Sequence, residues 1–463
     1  MKFTAKLLLI FVLLVCLASS TLAGKKDRKL TISAYLSSAK IEIISGDLER
    51  YETAVAYLDS LFMHYGPHAE GLKLMAQVQV DLLEKKAVSP EEKLVYVEKL
   101  VAYVDSLHMC CENDQIKKKH RKDCDKHVEF TDSLKVQYWT IFYNKGVQEL
   151  LPQVENYQSE IDAAPDSSYR ADYEQRRKAT LDTLVTTMKM AALLNPQDHR
   201  SYVGISTAYE KAGEFRKAIE WLGEAVKYVG DEEKPNLILR QAFDAIQLAD
   251  FNGAIPYFKA YTELLPTDIV NMGNLAICYN NCGFYDSAAA VNQKILEIDP
   301  INRDALIGMG RYYNQLAREA TDSSTAYRRV ENEEAATAWT ERRDAQFDSS
   351  MTYFKTAAEN YPDDIESLEQ YATITGLKSL NAEAAAAFRK LADLETSSAE
   401  YSRAAGDFYL RDQKFDEAII EYERTVERDP GDAETWQRLA DLYDNAGDTE
   451  KAAAAKKKIE ELK

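Results

Sequence analysis

Residues 436–452 are WQRLADLYDNAGDTEKA, and the order of large and small side chains in this stretch decides the fold. Trp436, Leu439 and Tyr443 are spaced by three and four residues, which places them on one face of an α-helix. Gly447 can take the left-handed backbone conformation that ends such a helix. The stretch therefore predicts a helix, a short turn and the start of a second helix.

The same order of residues recurs at a fixed interval. Pro266 and Pro300 lie 34 residues apart, and Pro362 and Pro430 lie at twice that distance. A period of this length indicates a solenoid of stacked helix pairs, because one pair cannot bury its apolar face alone whereas a stack can. The recurring positions hold Ala405, Gly406, Tyr409, Ala418 and Tyr422 in one unit, Leu368, Tyr371, Ala372, Ala384 and Phe388 in a second, Met272, Leu275, Ala276, Tyr279, Gly283 and Ala288 in a third, and Tyr202, Ile205, Tyr209, Gly213, Ala218 and Leu222 in a fourth.

These residues closely resemble the tetratricopeptide repeat, a helix-turn-helix unit with the pattern W-x2-L-G-x2-Y, then A-x3-F, then P. The resemblance implies an all-α fold, a right-handed α-solenoid of about nine stacked units, two of which carry helical insertions. The small residue in the middle of the first helix, as at Gly406, Gly310 or Ala440, is expected to let the second helix approach closely.

The repeat pattern also predicts how the chain is organised. The expected parts are a signal peptide at residues 1–23, degenerate repeat-like helices with a cysteine-rich connection at 24–135, a unit with an insertion at 136–198, regular units at 199–302, a unit with a helical insertion at 303–364, and C-terminal units with a capping helix at 365–463. The insertion at 318–346 is expected to form elongated helices, with a partner-docking arm anchored by Trp339 and Arg342 as the alternative.

The first residues have the features of an export signal. Two lysines precede an apolar stretch from Leu7 to Leu17, which is too short to span a membrane, and small residues up to Ala23 fit a signal peptidase site. Cys16 follows the bulky Val15, where lipoprotein processing prefers a small residue, so no lipid anchor is expected. The sequence predicts export into a bacterial periplasm, without an integral membrane span.

Charge and motifs exclude several function classes. The chain has 57 Lys and Arg against 76 Asp and Glu, a formal net charge of -19 at pH 7. It therefore has no general electrostatic attraction for nucleic acid or anionic membranes. The sequence contains no G-x-S-x-G, H-E-x-x-H, P-loop or G-x-G-x-x-G motif. We expect no enzyme and no cofactor, and a protein or peptide as the partner.

Five cysteines follow the predicted cleavage site. A disulfide that joins Cys110 or Cys111 to Cys124 is the preferred interpretation, since disulfides persist in oxidising compartments. It would pin a polar connection in which the basic run 117–122 is expected to be a solvated loop. The alternative is a metal site, for which four ligands would come from His108, Cys110, Cys111, His120, Cys124 and His127. Cys278 and Cys282 are expected to be buried thiols that pack between helices.

In proteins that resemble this chain, the first helices of the stack line a concave groove that takes extended peptides or a partner's helix. Polar positions on these helices are therefore candidate partner contacts. Asparagine can donate and accept, so it can bind a peptide backbone without selecting its sequence, and Arg311 can pair with a carboxylate of the partner. The candidates are Asn271, Asn274, Asn280, Asn281, Arg311, Asn314, Gln315 and Arg403.

The resulting expectation is an exported protein-interaction scaffold that binds a peptide segment or a partner subunit in its groove. The resemblance suggests envelope assembly or secretion as the context, and thus an envelope complex. Two alternatives stay open at this point. One is a metal- or redox-responsive sensor that uses the cysteine- and histidine-rich connection, and the other is a glycan-binding solenoid with tyrosine-rich faces.

Overall fold

Each secondary-structure element in the described part of the chain is a helix. The computed structural model describes residues 29–85, 88–112 and 114–462, without the side chains of residues 114–121. The signal peptide predicted for residues 1–23 lies outside these residues. The chain forms two units, of which unit 1 ends at Asp250 and unit 2 begins at Phe251. This boundary falls within residues 199–302, where the sequence predicts regular repeats.

Unit 1 consists of ten helices over its described residues, with a π-helical segment at Lys145–Leu150 between α5 and α6. The helices are α1 (Ile32–Ser45), α2 (Leu48–Tyr65), α3 (Ala69–Leu83), α4 (Pro90–Glu112), α5 (Asp114–Asn144), α6 (Leu151–Ala163), α7 (Ser167–Leu194), α8 (His199–Lys211), α9 (Phe215–Val226) and α10 (Lys234–Gln247).

Unit 2 contains eleven helices among its described residues. They are α11 (Phe251–Leu264), α12 (Ile269–Asn281), α13 (Tyr285–Ile298), α14 (Arg303–Arg329), α15 (Glu333–Asn360), α16 (Ile365–Leu377), α17 (Asn381–Leu394), α18 (Ala399–Arg411), α19 (Phe415–Arg428), α20 (Ala433–Ala446) and α21 (Thr449–Glu461). The first helices of its repeats are α12, α14, α16, α18 and α20. No helix in the described ranges of either unit is long and apolar enough to cross a membrane.

The periodic prolines mark the starts of the first helices. Two residues after each proline stands an Asp or Asn whose side-chain oxygen accepts a hydrogen bond from a backbone N–H in the first turn of the helix. This oxygen satisfies one of the N–H groups that a helix start leaves without an intrahelical partner. The capping residues are Asp198, Asp268, Asn302, Asp364 and Asp432.

Glycines in two first helices allow an aromatic ring of the second helix to pack against the backbone. A Cβ added at Gly310 would lie 2.7 Å from Cζ of Phe354, and one at Gly406 would lie 2.6 Å from Cε1 of Tyr422. Both rings are fully buried. The small residues of the repeat pattern therefore have the role that the sequence predicts for them.

The connection after Cys111 differs from the expectation. Helix α4 continues to Glu112 and α5 begins at Asp114, so the basic run 117–122 lies in a helix and the predicted loop was wrong. The reason lies further along α5, where Leu134, Tyr138 and Phe142 are buried in a core shared with α4 and α7. A polar stretch joined to such an anchored segment can continue the same helix.

The two predicted insertions are helical. In the unit at 136–198, which is expected to carry an insertion, residues 152–177 fall mostly in α6 and the first part of α7, which begins at Ser167. Residues 318–346 lie within α14 and α15, which are 27 and 28 residues long and form a hairpin. Ser324 joins the two arms of this hairpin, because its Oγ donates to the carbonyl oxygen of Ala336 (2.9 Å).

Candidate partner-binding face of unit 2

Helix α12 has no charged residue along its length. Val270 and Ile277 are 70% and 54% exposed, and Asn280 and Asn281 are also exposed. Val270, Ile277 and Asn281 follow one another at intervals of seven and four residues, so they share one side of the helix. We call Val270, Ile277, Asn280 and Asn281 the α12 face. It combines apolar side chains with amides, and the Asn281 amide donates to the Ile277 carbonyl oxygen (2.9 Å).

The other two candidate asparagines of α12 form part of its helix cap. The Asn271 side chain is buried and donates to Asp268 Oδ2 (2.9 Å), and Asn274 donates to Asn271 Oδ1 (3.0 Å). Burial opposes ionisation of Asp268, yet hydrogen bonds from Asn271 and from the Tyr261 hydroxyl lower the pKa of this carboxyl below its usual value. Asn271 and Asn274 therefore hold the start of the helix.

The candidate arginines are paired inside unit 2. Arg311 on α14 forms an ion pair with Glu366 on α16. Arg303 donates from Nε to Asp364 Oδ1 (2.8 Å). Burial of Asp364 by itself would raise the pKa of this carboxyl. Its hydrogen bonds, including the one from Arg303, together outweigh burial, and the pKa lies below its usual value. Arg403 lies 3.6 Å from Asp432, between its Nη1 and Oδ2.

These pairs belong to a series of contacts between successive first helices, which we call the polar ladder. Between α14 and α16 it contains Arg311 and Glu366. Between α16 and α18 the Tyr401 hydroxyl donates to Glu369 (2.7 Å). Between α18 and α20 it contains two ion pairs, Arg403 with Asp432 and Arg438 with Asp407. Several charges of the first helices α14 to α20 are thus paired within unit 2, whereas α12 carries none.

A pocket of about 350 Å³ lies between the start of α13 and the middle of α14. We call it the aromatic pocket; its lining residues are Gly283, Phe284, Tyr285, Asp286, Ser287, Tyr312, Gln315, Leu316 and Glu319. Gln315, one of the candidates, donates from Nε2 to Glu319 Oε1 (3.1 Å). Asn314, the residue before it, is half-buried. Gly283 of the pocket lining follows Asn281 of the α12 face by two residues along the chain.

The aromatic walls of the pocket are partly open to solvent. Phe284 is 50% exposed and Tyr285 is 48% exposed. The Tyr312 hydroxyl donates to Asp286 Oδ1 (2.8 Å). Burial raises the pKa of Tyr312 to about 12, and the carboxylates of Asp286 and Glu319 add to the effect. The pocket therefore combines exposed rings with a negative potential.

Most of this pocket was not predicted from the sequence, although a signal was present. Phe284 and Tyr285 are consecutive aromatic residues directly after Gly283, whose φ of +77° is left-handed. Neighbouring positions on a helix point in different directions, so two adjacent rings cannot both enter one narrow apolar face. Tyr312 and Glu319 carry no comparable sequence signal, because they join the pocket only through the packing of α14 against α13.

A second, larger pocket of about 680 Å³ lies among α19, α20 and α21, with Trp436 and Tyr443 in its wall. Most of its charged groups pair with one another. Lys451 Nζ lies 2.9 Å from Glu423 Oε1, and Lys458 Nζ lies 2.8 Å from Glu461 Oε2. This pocket therefore has fewer charged groups available to a ligand than the aromatic pocket.

The three cysteines in the described part of unit 1 meet in one apolar cluster. The structure joins Cys111 to Cys124, with 5.6 Å between their Cα atoms. Cys110 is a buried free thiol that lies 3.7 Å from the Pro67 carbonyl oxygen, and burial raises its pKa. Among the described side chains, which leave out His120, no group of three His, Cys, Asp or Glu residues is placed to hold a metal ion.

The second cysteine pair lies at the end of α12. Cys278 is a buried free thiol, and Cys282 is half-buried and free. Burial raises the pKa of Cys278 to about 11, and the neighbouring Cys282 adds to the effect. Cys278 thus packs in the interior as the sequence predicts, while Cys282 is only partly covered.

Family models described as tetratricopeptide repeats match residues 199–228, 399–442 and 433–463. A tetratricopeptide repeat protein from Parabacteroides merdae is 15% identical, and its match covers 57% of this chain and 93% of that one, with a TM-score of 0.33. A thermophilic repeat protein from Thermus thermophilus is 20% identical over 45% of this chain and 98% of its own, with a TM-score of 0.28.

YrrB, a repeat protein said to have an unusual peptide-binding site, is 18% identical over 47% of this chain and 97% of its own, with a TM-score of 0.28. No curated protein matches the chain. The family models coincide with α8 and α9 in unit 1 and with α18 to α21 in unit 2. Residues 199–228 and 399–463 therefore match tetratricopeptide repeats, within a chain whose described part has an all-α helical fold.

Proposed function

We propose that the chain is an exported scaffold without catalytic activity, and that unit 2 binds an extended segment of a partner protein along the α12 face. One observation carries this proposal. The first helices α14 to α20 carry charged side chains, several of which pair in the polar ladder, whereas α12 has no charge and exposes Val270 and Ile277. Exposed apolar side chains are a feature of protein-binding surfaces.

The dimensions of the α12 face suit an extended chain. Val270 and Ile277 are seven residues apart, which corresponds to about 10 Å along a helix. An extended segment advances about 3.3 Å per residue, so three of its residues span the same distance. Asn280 and Asn281 offer both donors and acceptors for the backbone of such a segment.

We propose that the protein resides in an oxidising compartment, with a bacterial periplasm as the preferred assignment. The signal-like sequence of residues 1–23 supports this, and so does the pairing of Cys111 with Cys124, because disulfides are rare in the reducing cytosol. Assembly or secretion of envelope components is the process that we propose for the partner. The metal-sensor and glycan-binding alternatives have no comparable observation in their favour.

Site-specific photo-crosslinking tests the binding face. A photoreactive phenylalanine derivative replaces Ile277 in the full chain, and the same group replaces Ile420, an equally apolar and exposed residue on α19, as the control. We expect one dominant adduct from position 277, with the crosslinked segment identified by mass spectrometry, and no such adduct from position 420. The same adducts from both positions, or none from position 277, would overturn the proposal.

A binding measurement completes the test. The segment identified by crosslinking is synthesised and titrated against the wild-type chain, Ile277→Asp and Ile420→Asp. We expect Ile277→Asp to weaken binding roughly tenfold or more, because the partner would have to cover an unpaired charge. Ile420→Asp is expected to bind as the wild type does.

A further inference from the structure

We propose that the aromatic pocket takes a lysine or arginine side chain of the bound partner segment. This inference rests on the proposed function, since the α12 face would guide the segment to the pocket. The pocket would add a preference for a positively charged side chain, which the uncharged α12 face does not provide.

The first support is the charge of the lining residues. Asp286 and Glu319 are carboxylates, and the lining contains no Lys or Arg. Each carboxylate already accepts one hydrogen bond, from Tyr312 and from Gln315 respectively. A carboxylate has about four acceptor sites, so both retain capacity for an ammonium or guanidinium group. A partner carboxylate would meet two like charges there.

The second support is the arrangement of rings. Phe284 and Tyr285 are half-exposed at the pocket wall, and Tyr312 lies beside them. The face of an aromatic ring attracts a cation within about 6 Å of its centre, by roughly 0.5–1 kcal/mol at exposed sites. The long apolar stem of a lysine or arginine side chain can pack on such rings while the charged end reaches the carboxylates.

The third support is size. A volume of about 350 Å³ lies at the lower end of the range for small-molecule pockets, so it suits one side chain of a partner. The acidic chain as a whole also favours a basic segment, because a net charge of -19 raises the local concentration of cations before contact.

The test uses small probes, so it does not require the partner to be known. 3-Fluorotyrosine replaces Tyr285 in the full chain, and its fluorine NMR signal is followed during titration. The probes are the N-acetyl methylamides of lysine, arginine and norleucine, the last having an apolar side chain of similar length. We expect a saturable shift with lysine and arginine, and no shift with norleucine at the same concentration.

Two matched variants locate the effect. Glu319→Gln removes a pocket charge, and we expect it to weaken lysine binding about threefold to tenfold, as for loss of one charge-assisted contact. Glu297→Gln makes the same change at an exposed position on α13 outside the pocket and should leave binding unchanged. Circular dichroism and thermal denaturation establish that both variants are folded.

The outcomes separate this inference from the proposed function. If norleucine shifts the signal as strongly as lysine, or if no probe gives a saturable shift, the cation preference is wrong. Crosslinking at Ile277 is independent of the pocket charges, so an adduct there would still support the α12 face. A cation-specific shift without any adduct at Ile277 would overturn the proposed function, and with it this assignment to a partner segment.

Discussion

The ring of Tyr422 packs against Gly406, and a Cβ added to this glycine would come within 2.6 Å of ring atom Cε1. Tyr422 is fully buried and its hydroxyl donates to Asp407 (2.6 Å), so the ring has no room to retreat. We expect Gly406→Ala to lower the free energy of unfolding by about 1–3 kcal/mol, the usual cost of overpacking. Thermal denaturation of the full chain, followed by circular dichroism, measures this loss.

Gly273 in α12 provides the control, because a Cβ added there would meet no atom within 4 Å. In an open helical position alanine is favoured over glycine by roughly 0.5–1 kcal/mol. Gly273→Ala is therefore expected to raise the melting temperature. Should Gly406→Ala behave in the same way, close packing would not be the reason for the glycine at 406.

The turns between paired helices predict a stabilising substitution. Ser379 and Gln413 have φ values of +59° and +61°, at the place where Gly447 has +77°. The left-handed conformation costs a residue with a side chain roughly 1–2 kcal/mol. Substitution by glycine removes this cost, but the greater freedom of glycine in the unfolded chain offsets part of the resulting gain in stability. We expect Gln413→Gly to stabilise the protein by about 0.5 kcal/mol.

Gly447→Ala makes the opposite change in an equivalent turn and should destabilise the protein by about 1 kcal/mol. Chemical denaturation compares both variants with the wild type. A loss of stability in Gln413→Gly would mean that the glutamine side chain makes contacts that outweigh the backbone cost.

The pH dependence of stability is expected to reflect Asp244 of α10. Burial raises the pKa of Asp244 to about 7, the nearby carboxylate of Glu210 adds to the effect, and Arg240 opposes it. The ordinary value is 3.8. Between these two values the folded chain holds a proton that the unfolded chain has lost. Stability therefore falls as the pH rises through this window and becomes level above it.

Asp244→Asn removes this titration. The variant should match the wild type near pH 4 and be more stable at pH 8 by on the order of 2 kcal/mol. Asp231→Asn, an exposed change just before α10, is the control and should follow the wild-type profile. The melting temperatures of the three proteins are measured between pH 4 and pH 8. Parallel plots of melting temperature against pH for Asp244→Asn and the wild type would contradict the prediction.

The all-α repeat fold was predictable from the sequence because its signals are local and periodic. Pro266 and Pro300 locate helix starts since Asp268 and Asn302 follow them as caps. Local signals failed after Cys111, where the polar composition predicted a loop. Helix α5 is anchored there by residues that lie much further along the chain, such as Phe142.

The candidate site was less predictable, because it depends on which helices become neighbours. Arg311 has the sequence features of a partner contact, yet it pairs with Glu366, which is 55 residues away. Asn271 and Asn281 have the same side chain, but the first holds a helix cap and the second is exposed. Spacing within one helix does not distinguish such cases; packing between helices does.

The disulfide gives a last prediction, which discriminates between the two pairings that the sequence left open. Cys111 and Cys124 join the end of α4 to α5 across 13 residues. Closing a loop of this size contributes about 3 kcal/mol in the chain-entropy account. We expect the double variant Cys111→Ser, Cys124→Ser to melt at a lower temperature than the wild type. A reductant should lower the melting temperature of the wild type and leave that of the double variant unchanged.

Cys110→Ala distinguishes the pairings, since Cys110 is a free thiol in the structure. This variant should keep its disulfide and therefore its sensitivity to reductant. If Cys110 were the true partner of Cys124, the substitution would remove the bond and reductant would have no further effect. Mass spectrometry of non-reduced wild-type peptides, with fragmentation between residues 110 and 111, identifies the partner of Cys124 directly.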